Sequence, residues 1–324
     1  MHIKLLFSAV AILGLISCEL GATTHTVNTS AHVGSYNLIV KNDLTINSDI
    51  QGKIFVGGNV NRADQNNKNL IVGDKLGTSS TVDAVTIVGD INNIETVRTF
   101  NGHNIIYGGN AGASSFEGGS ANQVNQGNLQ SEFDTLWAQV ENDSEYFESL
   151  EKNADYHRIL QDKRGVFEND NSVDLNVFEI DKSFLEKQNG EHDFQTNLSV
   201  PVVINVAGTG TINIISKPLG GFATTATAVN VIWNFYEATE VNFNAGSWYG
   251  SVLAPLAVVN LKGGNIDGSV AALSFNGESQ LHHALYSYSP PPPKPISEVP
   301  APAGTLIIAF GLVLAAYRKF KTLA

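Results

Sequence analysis

Asp74 and Asp90 stand sixteen residues apart, each directly after a glycine. If the chain coils with that period, the two carboxylates stack on one face, the arrangement with which a β-helical glycosidase or polysaccharide lyase moves protons. Aspartates that only shape corners give the same spacing, and that is the favoured reading. His282 and His283 are neighbours, so in a strand they point to opposite faces and do not grip one metal. One is expected to cover the last turn of the coil and the other to face solvent. Gly263-Gly264-Asn265-Ile266-Asp267-Gly268 could offer oxygens to a hard cation. Asn and Asp make turns without metal, however, so no cofactor is expected and a structural calcium is the minor alternative. Gly208-Thr209-Gly210-Thr211 lacks the third glycine of a dinucleotide loop and runs on into a strand, so it reads as a turn. No Gly-x-Ser-x-Gly elbow is present, which removes the usual hydrolase nucleophile. Trp233, Phe235, Tyr236, Trp248 and Tyr249 could form a sugar-stacking platform but are expected in the core. No catalytic, cofactor or metal residue emerges.

The elements that carry these residues are mostly short strands. Val40, Val56, Val72 and Val88 recur at sixteen residues and Tyr107 follows after nineteen. Around them run Leu38-Ile39-Val40, Ile54-Phe55-Val56-Gly57-Gly58-Asn59, Leu70-Ile71-Val72-Gly73-Asp74, Ile87-Val88-Gly89-Asp90 and Ile105-Ile106-Tyr107-Gly108-Gly109-Asn110. Each is an aliphatic triplet or pair closed by a Gly, Asn or Asp corner, where positive φ is tolerated. One rung cannot bury its own inward face, but stacked rungs can. The fold class is therefore mainly β: a β-solenoid with rungs of about 16–19 residues, and a sandwich of hairpins is the competitor. Val202–Val206, Ile212–Ile215, Val229–Trp233 and Val241–Phe243 alternate as half-buried strands. Gly250-Ser251-Val252-Leu253-Ala254 is echoed eighteen residues later by Gly268-Ser269-Val270-Ala271-Ala272. Between the halves, Phe133, Leu136, Val140, Phe147, Leu150, Ala154 and His157 follow three-four spacing. They predict one amphipathic helix over about 128–163, capped at Asn128 and packed along the coil.

The two ends read as addresses. Residues 1–22 have a basic start, an apolar run from Leu5 to Ile16 and small residues, the pattern of a secretory signal peptide cleaved after Ala22. Leu15-Ile16-Ser17-Cys18 allows lipidation of Cys18 instead. Residues 23–289 form the body, and residues 290–298 a proline-rich linker that favours polyproline II. Residues 299–324 contain Val299-Pro300-Ala301-Pro302, an apolar stretch to Tyr317, and the basic residues Arg318, Lys319 and Lys321. Fifteen apolar residues make ~22 Å of helix against a ~30 Å hydrocarbon core, a short membrane span whose basic end stays cytoplasmic. The class thus includes terminal hydrophobic helices. A net charge of -12 leaves no basic patch for nucleic acid, and with Cys18 as the one cysteine, the body holds no disulfide.

The tail resembles the PEP-CTERM sorting signal of Gram-negative bacteria, with Ala301 where that motif carries glutamate. The resemblance implies an exosortase-type partner that cuts the tail. The body resembles the choice-of-anchor A domain of bacterial surface proteins. It does so through Phe55-Val56-Gly57-Gly58-Asn59, the helix, and the run from Gly250 to Pro255 through Gly268–Ala272 to Gly277-Glu278 and His282-His283. It is also similar to ice-binding β-helix proteins. These resemblances imply an exported, non-catalytic, adhesin-like protein on the cell envelope or in the extracellular matrix. Its expected partners are the membrane and a polysaccharide or matrix ligand. Ice binding and a carbohydrate-active β-helix are the alternatives. Thr224, Thr225 and Thr227 are the only hint of the threonine ladder that ice binding requires.

Overall fold

The computed structural model describes residues 32–64, 68–244 and 246–290. The signal-peptide and tail residues Cys18, Ala22, Val299, Pro300, Ala301, Pro302, Arg318, Lys319 and Lys321, and with them both terminal hydrophobic helices, lie outside the described residues. Among those described, no helix is long and apolar enough to cross a membrane.

Short aliphatic strands broken by Gly, Asn and Asp stack in parallel into one column, a β-solenoid. Along its main face the strands run in the order Ala121–Gln123, Asn104–Tyr107, Asp83–Ile87, Ile54–Val56, Leu38–Val40, Val270–Gly277, Ser251–Leu261, Val231–Asn234, Val202–Ala207 and Asn176–Asp181. The chain therefore enters mid-column at Leu38–Val40 and winds outward to Gln123. It then returns through a helix to the far end and winds back to the middle. First and last rungs meet at a seam, where Leu38 lies beside Val270 and Val40 beside Ala272. Leu38, Val40, Ile54, Val56, Val85, Ile87 and Ile105 fill one half of the interior, and Phe167, Phe178, Phe222, Trp233 and Phe243 fill the other.

The sixteen-residue reading of the rungs holds only in part. Val40 stacks on Val56, but Val56 stacks on Ile87. Chain between Asn61 and Asp83 swells that rung, and equivalent corners there lie 31 residues apart instead of 16. Val72 belongs to another face, bridging Ile50. Val88 points out of the column and is buried beneath the helix. In the second half the step is 29 residues between Asn205 and Asn234 and 18 between Asn242 and Asn260.

The helix α1 spans Gln126–Glu148, shorter than the predicted 128–163. Its cap is Asn125, whose side chain accepts the N–H of Asn128 at 3.0 Å, so Asn128 sits inside the first turn. The helix stops where Ser149 closes it onto Glu145 O, and Asn153 turns the chain onto the strand at Val177. Positive φ at Leu160, Gln161 and Asp162 then makes a hairpin of Tyr156–Ile159 and Arg164–Phe167. Ala154 and His157 continue the three-four spacing by coincidence and are not helical. The stripe of α1 does lie along the column. Leu129, Phe133, Leu136, Trp137, Val140 and Phe147 pack on Ile39, Phe55, Val88, Val203, Ile232, Leu253 and Ala271. Burying six such side chains contributes on the order of 10 kcal/mol.

Candidate binding face

A second face of the column is formed by Gly210–Ile214, the outer halves of Ala238–Phe243, Ser251–Leu261 and Val270–Gly277, and then Leu44–Ile46, Val60–Asn61 and Ile91–Asn92. Alternation sends Ile212, Val241, Val259, Phe275, Leu44, Val60 and Ile91 inward, where they are buried. The residues between them point outward. Register places Asn213 beside Asn242, Asn242 beside Asn260, and Asn260 beside Asn276. The row crosses the seam at Thr45 and continues through Asn61 and Asn92. Six amides and one hydroxyl thus stand in a single line at the ~4.8 Å strand spacing.

Most of these amides are chained. Asn242 Nδ2 donates to Asn213 Oδ1 at 3.1 Å, Asn260 to Asn242 at 2.9 Å, Asn276 to Asn260 at 2.8 Å and Asn92 to Asn61 at 3.1 Å. An amide has two N–H donors and two acceptor lone pairs, and one link on each side uses half of that capacity. Asn260 spends its second donor on Glu240. Asn213, Asn276 and Asn92 are exposed. Asn260, Asn61 and Thr45 are half-buried and Asn242 is buried, so the chained amides orient one another while the exposed ones offer free donors and acceptors, which suits a ligand with hydroxyl or amide groups at a similar repeat.

One edge of this face is a corner ladder that explains the Gly-Gly-Asn and Gly-Asp motifs. Asp43 Oδ1 accepts the N–H of Asn59 at 2.7 Å, Asn59 that of Asp90 at 2.8 Å, and Asp90 that of Asn110 at 2.7 Å. Beside them the backbones approach so closely that a Cβ on Gly89 would lie 2.5 Å from Gly58 O. Asp90 accordingly stacks with Asp43, Asn59 and Asn110 and not with Asp74. Asp74 sits at another corner, 3.4 Å from Lys75, so the structure does not assemble the predicted carboxylate pair.

The remaining candidates scatter. His282 Nδ1 meets Asp267 at 2.5 Å, while His283 packs over Gly52 and burial lowers its pKa. Trp233, Phe235 and Trp248 are buried, and Tyr236 and Tyr249 are half-buried. Thr224 caps the short turn Thr225–Ala228, and Thr227 is buried against Gly221 O, so neither Thr224 nor Thr227 belongs to an outward ladder. Gly208 and Gly210 adopt positive φ before the strand Gly210–Ile214, as the turn reading requires. Among the described residues no group of three His, Cys, Asp or Glu comes together to hold a metal. Sequence reasoning missed the asparagine row, whose only local signal was the recurrence of Asn between two apolar residues in Ile212–Ile214, Val241–Phe243 and Val259–Leu261.

A parallel column that repeats one polar side chain from strand to strand is a repeat-built β-solenoid with one regular polar face. The chain belongs to the family described as "Putative Ice-binding-like adhesive domain", which matches residues 29–283. No curated protein matches it. Among solved structures, an ice-binding protein from the Antarctic ascomycete Antarctomyces psychrotrophicus shares 11% identity over 81% of this chain and 98% of its own, with a TM-score of 0.38. One from an Antarctic biological consortium shares 13% over 85% and 94%, with a TM-score of 0.30. A glycosylated ice-binding protein from an Arctic yeast shares 11% over 81% and 95%, with a TM-score of 0.28.

Proposed function

We propose that this chain is an exported, non-catalytic surface protein that adheres through the asparagine-bearing face. Its C-terminal segment, of PEP-CTERM type, holds it at the envelope until an exosortase-type enzyme cuts it. The observation that carries the adhesive reading is the unbroken row Asn213, Asn242, Asn260, Asn276, Thr45, Asn61 and Asn92 across seven neighbouring strands. Membership in an adhesive family supports it. Such a face grips by many weak contacts that add up when the ligand repeats too, as an extracellular polysaccharide or matrix polymer does.

The test is retention of the full chain on a panel of insoluble polysaccharides and matrix proteins, with Asn61→Tyr/Asn276→Tyr as the blocking variant. At least ~tenfold weaker retention is expected, because two rings raised from the row hold a ligand away from its neighbours. Equal retention of the variant sinks the reading. Thermal hysteresis is expected to be absent, since one threonine in the row makes no threonine ladder. Deleting residues 299–324 is expected to move the protein from envelope to medium, and an unchanged distribution would refute the anchoring.

A further inference from the structure

The two ends of the column differ. At one, the chain covers its own edge: the N–H groups of Asn153 and Ala154 donate to Val177 O at 3.1 and 3.2 Å, and Asn153 Oδ1 accepts the N–H of Val177 at 2.8 Å. Exposed Glu179 adds a charge there. The antiparallel strand Tyr156–Ile159 reverses direction on Arg164–Phe167 and ends parallel stacking on that side. At the other end nothing among the described residues lies over Ala121–Gln123, whose three residues are all exposed.

This open edge has a definite hydrogen-bonding pattern. Ile105 N–H donates to Ser120 O at 2.8 Å and Val124 N–H to Tyr107 O at 2.9 Å. Alternation then turns the N–H and C=O of Ala121 and Gln123 away from the column. On the adjoining strand Ser115–Glu117, Ser115 N–H donates to Glu95 O and Glu117 O accepts from Thr99 N–H, both at 2.8 Å, which leaves Phe116 facing outward in the same way. Soluble proteins protect such edges with charge, proline or a bulge. Residues 118–124 contain no charged residue and no proline, and Glu117 is engaged by Arg98 at 2.6 Å.

We infer that this end is a docking surface for the same end of a second copy. Two outward-facing residues flanking one inward-facing residue are self-complementary about a two-fold axis through Asn122. Ala121 of each copy exchanges both backbone bonds with Gln123 of the other, giving four N–H···O bonds in an antiparallel pair. Half-exposed Phe116, stacked on Tyr107 at 5.1 Å, supplies an apolar contact where the core reaches the end. A two-fold contact consumes the Ala121–Gln123 edge of both copies, so this contact by itself stops at two.

The test is sedimentation of the full chain in mild detergent across a concentration series, beside Ala121→Pro, which deletes an N–H the column does not use, and Ala121→Lys, which keeps the backbone and charges the edge. The expected result is a two-chain species for the wild type and at least ~tenfold weaker association for both variants. Amide exchange at Ala121 and Gln123 should slow as concentration rises. A single chain up to roughly 100 µM, or dimers that persist equally in Ala121→Lys, overturns the inference. Persistence in the lysine variant points to pairing through the tail. The outcome does not depend on what the asparagine face binds.

Discussion

Asn234 makes the most buried of the polar contacts that fasten α1 to the column. It is fully buried. Its Nδ2 donates to Ser144 O at 2.9 Å and to Asn205 Oδ1 at 3.0 Å, and its Oδ1 accepts from Ser144 Oγ at 2.7 Å. Asn205 in turn donates to Phe147 O at 2.7 Å. Asn234→Ala removes three bonds, each worth about 1 kcal/mol net. Ser144 Oγ can turn to a helical carbonyl one turn back, but Asn205 Oδ1 is left buried without its donor, at about 1–3 kcal/mol. A loss of roughly 3–5 kcal/mol follows, which in a body of this size lowers Tm by ~6–15 °C. The assay is urea unfolding followed by far-UV circular dichroism and tryptophan fluorescence, with Asn276→Ala as comparison. That exposed asparagine should cost under ~1 kcal/mol. If the two variants lose equal stability, or Asn234→Ala loses less than ~1 kcal/mol, the polar fastening described here is wrong.

Two further outcomes are expected. Gly89→Ala should destabilise by ~1–3 kcal/mol because its Cβ meets the Gly58 carbonyl at 2.5 Å. Gly263→Ala, with no atom within 4 Å of the new methyl, should be tolerated, and matched thermal melts of the two decide. His192 is wholly buried, without a hydrogen-bond partner for either ring nitrogen, and burial pushes its pKa down to about 3. The unfolded chain takes up a proton below about pH 6.5 while the folded chain stays neutral to about 3. Stability is therefore lost as pH falls through that window. His192→Phe should flatten this acid slope and raise stability at pH 5 more than at pH 8; parallel slopes in both proteins would contradict the assignment.

Much of the architecture could be read directly from the residues. Aliphatic pairs closed by Gly-Asn or Gly-Asp gave away the strands and corners, and the three-four stripe from Phe133 to Phe147 marked the helix. What escaped was everything that depends on pairing across distance. Counting sixteen residues measures chain length, while a rung is set by which backbones meet, so the loop before Asp83 displaced Val72 and Asp74 from the stack. The helix end was misjudged because Ala154 and His157 kept the period after Ser149 had already closed the last turn. The asparagine row has no fixed period at all: its steps follow rung lengths of 29, 18 and 16 residues. It then passes from Asn276 to Thr45, a pairing made only when the last rung closes on the first.

The seam has a mechanical side. His32 and Ser289 touch at 2.5 Å, so the first and last described residues of the body lie side by side. Tension drawn through the C-terminal end enters between Tyr286, whose hydroxyl is tied to Val202 O at 3.1 Å, and the neighbouring rungs. It meets a buried tyrosine first, and not a terminal rung, from which a coil would unravel one turn after another. A crossbar held between its two tips can also lie along whatever it grips.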